Sequence, residues 1–243
     1  MRIAILQADE VEAVFQPRFG NLASMMGSML ESSGHAGFET TAFNVHLGVE
    51  PSDLHEFDGY LITGSRRGVY DDDPWIERLF DLIRRLHKAR IKTVGICFGH
   101  QAIAQALGGQ VENWSNGWGV GVHTYDMIWP AGDHVGRHQD QVALPCCHQD
   151  QVVDLPPGAR RVLSNDFCLN AGFLIGDHVL AIQPHPEFSV SYLECILRVI
   201  EHRIGERSVQ AFESLKHQTD NDLLAEFIAQ FFVGSNAVGK AAA

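Results

Sequence analysis

Two short segments of this chain have the residue types and spacing for covalent chemistry: Gly95-Ile96-Cys97-Phe98-Gly99 and Gln183-Pro184-His185-Pro186-Glu187. In the first, a cysteine sits between two glycines where an apolar run, residues 93–96, gives way to a helical pattern over 101–107. A sharp strand-to-helix turn at such a place needs neighbours without Cβ and points Sγ outward. It also sets the thiol at a helix N-terminus, whose partial positive charge favours the thiolate. A thiol needs a base as well. Residues two apart in extended chain point the same way, so His185 and Glu187 share a side, and Pro184 and Pro186 stiffen the segment. The expected division of labour has Cys97 attacking, His185 taking the thiol proton and later passing it to a leaving amine, and Glu187 orienting the imidazole. Singly, the segments read as readily as a cysteine packed like a small hydrophobe and as a surface turn; the combination is far more specific.

The elements that must position these residues follow from hydrophobic spacing. Short apolar, β-branched runs alternate with amphipathic ones, the pattern of strands joined by crossover helices in a parallel sheet. Strands are predicted at 2–6, 38–45, 60–63 and 93–96. Helices are predicted at 21–33, stopped by Gly34, at 74–89, opened by Pro74, and at 101–107, closed by Gly108-Gly109. From 111 to about 181 the chain turns to glycine, proline and short β-like segments, including 119–128 and 179–182, read as additions to the sheet edge and surface loops. Helices return at 191–203 and 222–232, and the small, polar end at 234–243 reads as frayed. The expected fold class is α/β, a doubly wound, mostly parallel sheet flanked by helices, with antiparallel additions. The expected division is a catalytic domain over 1–205 and a C-terminal helical extension and tail over 206–243.

Composition narrows the function classes. With 45% hydrophobic residues, a chain of 243 can bury a substantial core. Thirty acidic against eighteen basic residues leave a net charge of −12, which repels a phosphate backbone, so no nucleic-acid partner is expected. No stretch approaches the roughly 18 apolar residues of a membrane span, and no membrane partner is expected. Five cysteines without CxxC spacing argue against a disulfide scaffold and point to a reducing, cytoplasmic setting. Thirteen histidines are mostly scattered, with no HExxH pair or His/Cys cluster, so no metal site is expected.

Gly95-Ile96-Cys97-Phe98-Gly99-His100-Gln101, followed well downstream by His185-Pro186-Glu187, resembles the class I glutamine amidotransferases, and the likeness extends over nearly all of residues 1–203. The resemblance implies a γ-glutamyl thioester at Cys97 and chemistry that requires no cofactor. Thr63-Gly64-Ser65 falls where the family places its oxyanion loop, which implies the backbone N–H groups of Ser65 and Phe98 as oxyanion donors beside Gly64. The family usually has glycine then proline here, where this chain has Ser65 then Arg66. Gln101 corresponds to the glutamine that helps hold substrate in relatives. Cys147-His148-Gln149-Asp150 resembles their Ser-His-Gly-Asp segment, with Cys147 replacing serine, and implies Cys147 and His148 at the glutamyl α-amino and carboxylate end. His185 is preferred to His148 as the base because Glu187 supplies an orienter and His148 has none equally placed.

The charged and aromatic stretch from Arg66 to Trp75 reads as a solvated loop with Asp73 capping the next helix, or as a surface for the substrate's far end or a partner. Trp114, Trp118 and Trp129 read as packing residues. The resemblance implies glutamine or another γ-glutamyl small molecule as substrate. The leading expectation is glutaminase action, with ammonia passed to a synthetase in trans, since nothing after residue 203 is long enough to be one. A free-standing γ-glutamyl peptidase shares every catalytic residue and is the main alternative. A non-catalytic regulatory subunit is disfavoured by an intact Cys, His and Glu set.

Overall fold

The computed structural model describes residues 1–128 and 140–234; Trp129 and the expected frayed tail beyond 234 lie outside the described residues. In chain order the elements begin with β1 (Arg2–Gln7), α1 (Gln16–Phe19), α2 (Leu22–Ser32), β2 (Glu39–Asn44), β3 (Gly59–Ile62), α3 (Pro74–Ala89), β4 (Lys92–Ile96) and α4 (Phe98–Ala106). Five strands come next: β5 (Gln110–Asn113), β6 (Gly119–Met127), β7 (Gln141–His148), β8 (Asp150–Asp154) and β9 (Ala159–Ser164). The chain then runs through β10 (Gly172–Ile175), β11 (Val179–Ile182), α5 (Val190–Ile204), α6 (Arg207–Ser214) and α7 (Asn221–Val233).

Among the described residues nine strands form one sheet in the order β2-β1-β3-β4-β11-β10-β9-β6-β7, and β5 pairs with β8 in a separate two-stranded sheet. The strands from β2 to β11 are mutually parallel, and the pairings from β11 to β7 are antiparallel. The expected α/β class with antiparallel additions is therefore the observed one. The additions to the sheet edge are four antiparallel strands, β10, β9, β6 and β7, whereas β11, expected among them, is a parallel strand in the middle of the sheet beside β4.

Period-two alternation divides the core into two layers. In β1, Ile3 and Ile5 pack in one cluster with Met26 and Leu30 of α2 and Leu224 and Ile228 of α7, while Ala4 and Leu6 pack in another with Leu79 and Ile83 of α3 and Ile103 of α4. α7 thus shares a core layer with β1 through a face that also includes Phe232. Among the described residues no helix is long and apolar enough to cross a membrane, and no group of three or more His, Cys, Asp or Glu is placed to hold a metal ion.

One expected helix start and one expected cap differ. α4 begins at Phe98, three residues earlier than the helical periodicity indicates, because Cys97 itself makes the turn and the glycine and histidine after it are already helical. Asp73 occupies the N-cap position of α3 but makes no capping hydrogen bond; its carboxylate meets Arg67 Nε at 3.2 Å instead.

β3, β4 and β11 lie side by side, with Ile62 opposite Gly95 and Ile96 opposite Ile182, so all three strands end at the same edge of the sheet. The elbow between β4 and α4 fits there only without side chains at its flanks. A Cβ on Gly95 would lie 2.4 Å from the Gly99 carbonyl oxygen, and one on Gly99 would lie 2.5 Å from that of Ile62. Gly99→Ala is therefore expected to lower stability by about 1–3 kcal/mol through overpacking. Gly27→Ala, whose new Cβ meets nothing closer than Thr40 Oγ1 at 3.4 Å, should hold or raise the melting temperature through helix propensity. Thermal unfolding of both variants checks this, and an unshifted Gly99→Ala would count against the close-approach argument.

Candidate active site

The three strand ends deliver Gly64, Cys97 and His185 to one place. Cys97 has φ 54° and ψ −103°; among the described residues it and Arg90 are the non-glycine residues with positive φ. Such a backbone is strained for a residue with a side chain and persists only where its surroundings enforce it. Here Cys97 N–H donates to Ile182 O at 2.9 Å, and Cys97 O accepts from Gln101 N–H at 3.1 Å. A Cβ built on Gly64 would lie 3.1 Å from His185 Cε1 and 3.7 Å from Cys97 Cβ, which measures how closely the three ends converge.

His185 is buried, and its backbone N–H donates to Pro145 O at 2.8 Å, tying it to β7. Its Nδ1 donates to Glu187 Oε1 at 2.7 Å, and the two side chains are only 4% and 0% exposed. With Nδ1 engaged, Nε2 is the nitrogen left for Cys97. The ring stacks on Phe188 with centroids 3.9 Å apart and planes 6° from parallel. Burial pushes the imidazole down, but Cys97 and Glu187, through their charges and hydrogen bonds, outweigh burial and raise it to about 10. A histidine held in this way can accept a proton from the thiol and keep it at neutral pH.

On the other side of Cys97, Gln101 Nε2 donates to Asp150 O and to Gln183 Oε1, each at 3.0 Å. Asp150 Oδ1 accepts from Tyr70 Oη at 2.8 Å and from Asn113 Nδ2 at 2.9 Å. His148 Nδ1 donates to the Asp150 carbonyl at 2.9 Å, and burial drops this imidazole to about 3, so it is neutral and has no carboxylate partner. Burial, with Cys97 adding to it, pushes the Cys147 thiol up to about 12, leaving it protonated at neutral pH. His100 lies beneath, fully buried and lowered to about 4 by that burial.

Gly64, Ser65, Cys97, Gln101, Cys147, His148 and His185 all line one cavity of about 580 Å³. The other two residues singled out from sequence lie just outside it. Glu187 stands behind His185, and Phe98 is buried with its ring 5.5 Å from that of Trp75. Phe98 opens α4, so its backbone N–H has no carbonyl one turn earlier within the helix. The Arg66 to Trp75 stretch is strapped down: Arg66 pairs with Asp9 through Nε and Nη2, both at 2.8 Å, and Tyr70 reaches Asp150. Asn113 and Asp9 had no local signal in the sequence, because their partners lie 37 and 57 residues away, and Tyr70 was marked only as part of the Arg66 to Trp75 stretch, its partner lying 80 residues away. Trp118 lines the cavity as well as packing.

Comparison with known proteins identifies the family and the fold. The family model described as Glutamine amidotransferase class-I matches residues 20–195. Gamma-glutamyl peptidase 5 of Arabidopsis thaliana is 34% identical over 181 residues, covering 72% of each chain. Gamma-glutamyl peptidase 3 of the same plant is 32% identical over 182 residues, covering 72% of this chain and 73% of that protein. The crystal structure of a glutamine amidotransferase from Thermotoga maritima superposes with a TM-score of 0.72 at 20% identity, over 95% of this chain and 96% of that one, a likeness of fold. The chain belongs to the class I glutamine amidotransferase family of enzymes.

Proposed function

We propose that the protein hydrolyses a γ-glutamyl amide through a thioester on Cys97, and the observation that carries this is the buried 2.7 Å bond from His185 to Glu187 beside the Cys97 elbow. Cys97 Sγ attacks the γ-carbonyl carbon as its proton passes to His185 Nε2. The oxyanion of the tetrahedral intermediate is met by the backbone N–H groups of Ser65 and Phe98. On collapse the C–N bond breaks, and His185 protonates the departing amine. A water molecule then attacks the thioester, giving its proton to His185; the C–S bond breaks to release glutamate, and His185 returns the proton to Cys97 Sγ. Gly64 lets the oxyanion loop approach, and Gln101 with the Cys147-His148 turn holds the glutamyl end.

Two leaving groups remain in play. Glutamine would release ammonia for a synthetase in trans, as the amidotransferase motifs favour. A γ-glutamyl peptide would release an amino acid or peptide, which is favoured by the relatives named gamma-glutamyl peptidase and by the cavity volume. Ammonia is about the size of a water molecule, which takes up only ~30 Å³. We therefore place the peptidase reading first. Purified protein should release free amine from γ-glutamyl dipeptides faster than ammonia from glutamine. Weak turnover of both, raised many-fold by a copurifying synthetase, would reverse the order.

Cys97→Ala should abolish turnover and thioester formation with either substrate; full turnover by that variant would remove Cys97 from the mechanism. Glu187→Gln should lower kcat by about 10³–10⁴-fold while leaving measurable activity. It should also shift the pH profile. The imidazolium is needed to protonate the leaving amine and is lost as pH rises through its pKa, so removing a charge that raises this pKa should move the alkaline limb to lower pH. An alkaline limb that stays in place in Glu187→Gln would exclude Glu187 as a source of the raised value.

A further inference from the structure

The catalytic cavity contains a hydroxyl that the protein itself leaves without a partner. Tyr192, in the first turn of α5, is only 6% exposed, and its ring is held on two sides, by Phe188 edge-on at 4.8 Å between centroids and by Phe19 at 5.1 Å. Its backbone N–H donates to Ser189, but among the described residues no protein group hydrogen-bonds its Oη. The other tyrosines differ. Tyr60 donates to Leu54 O at 3.0 Å, Tyr70 donates to Asp150 at 2.8 Å, and the Tyr125 hydroxyl is sealed in the core. Tyr192 lines the cavity, and its oxygen is not sealed. A buried tyrosine hydroxyl ordinarily finds a hydrogen-bond partner, so the partner of this one is whatever occupies the cavity.

Its surroundings set that hydroxyl on the side from which the amine departs. Phe188, against which Tyr192 packs, lies flat on the ring of His185, the proton donor to the leaving nitrogen. Of the groups that bear on the hydroxyl, Glu187 behind His185 acts more strongly than Arg66, Cys147 or Asp9. Burial, reinforced by Glu187, raises the phenol above its usual range, so at neutral pH it keeps its proton and is a donor. The two carboxylates that bear on it are each paired, Asp9 with Arg66 and Glu187 with His185, which lowers the repulsion an anionic acceptor would meet. In a γ-glutamyl peptide, ordinary bond lengths put the carbonyl or carboxylate oxygen of the residue after the scissile bond within ~4 Å of the scissile nitrogen. That short span suits a donor separated from His185 by a single ring, Phe188. Glutamine, which loses ammonia, has no such oxygen.

We propose that Tyr192 is a substrate-binding residue whose hydroxyl donates to the first carbonyl or carboxylate oxygen of the amine half, so that the site selects amino-acid and peptide leaving groups over amines lacking this oxygen. The inference rests on the γ-glutamyl hydrolase reading and deepens it by naming the group that recognises the leaving side.

The test separates binding from turnover. Calorimetry on Cys97→Ala protein should show γ-glutamylalanine and γ-glutamylalaninamide each binding at least ~10-fold more tightly than γ-glutamylethylamide, which keeps the amide and the methyl group but lacks the oxygen. Adding Tyr192→Phe, which removes only the hydroxyl, should bring both ratios close to one with little change in melting temperature. A merely structural role would weaken all three ligands alike and preserve the ratios. Equal affinities in the Cys97→Ala protein, or ratios untouched by Tyr192→Phe, would leave the hydroxyl to solvent and overturn the assignment. Hydrolysis of the same ligands by wild-type protein is measured in parallel. Selective binding that Tyr192→Phe abolishes, without any cleavage, would keep the assignment and reject the hydrolase reading, whereas cleavage with equal affinities would reject the assignment alone.

Discussion

β3, β4 and β11 run parallel in adjacent positions and stop in register at one edge of the sheet, and the arrangement of the site depends on that registry. Gly64 lies two residues beyond β3, Cys97 one beyond β4 and His185 three beyond β11. The strand ladders therefore fix the relative positions of three segments far apart in sequence. Ligand sites in open α/β sheets lie at the carboxyl ends of the strands for this reason. The cost is local. The elbow must turn within one residue, so Cys97 takes φ 54°, and both flanking positions must lack Cβ because backbone oxygens stand about 2.5 Å from where it would be.

Burial shapes the electrostatics around that frame. Several imidazoles lie in or beside one cavity, and their surroundings separate them. His100 and His148 are enclosed with neutral carbonyl or amide partners and are pushed down to about 4 and about 3. His185 is as buried but faces Cys97 and Glu187 and is raised to about 10. The desolvation that keeps the first two neutral is outweighed at the third by opposite charge within hydrogen-bonding distance. Aromatic packing contributes as well: Phe188 lies flat on the His185 ring, so the imidazole is held both by a carboxylate at its edge and by a face contact.

The rim of the cavity is held by long-range ties. Tyr70 from the loop after β3 and Asn113 from β5 converge on one oxygen of Asp150, and Gln101 of α4 holds the Asp150 carbonyl. Arg66 clamps the same loop to Asp9 after β1. The small β5–β8 sheet matters for this: it pairs Asn113 with Asp150 and braces the turn that begins at His148. The stretch from 66 to 75, which reads either as a solvated loop with a helix cap or as a surface for the substrate's far end or a partner, lines the cavity and is tied to Asp9 and Asp150, while inside it Asp73 meets Arg67 and makes no capping bond to α3.

The amino-acid sequence by itself determined the features with local causes. The elbow was legible because glycine at 95 and 99 marks a steric requirement two residues to either side of Cys97, and the His185–Glu187 pairing because alternation in extended chain is a property of near neighbours. The central parallel strands and α3 were legible because burial on both faces and a 3.6-residue stripe leave direct patterns. Tertiary structure decided the rest. That β11 joins the parallel centre while β10, β9, β6 and β7 extend one edge depended on pairing partners far along the chain. Asn113, Trp118 and the cavity face of α5 carry ordinary local patterns, and they became part of the cavity only when the sheet brought its strand ends, the two-stranded β5–β8 sheet and α5 around one thiol.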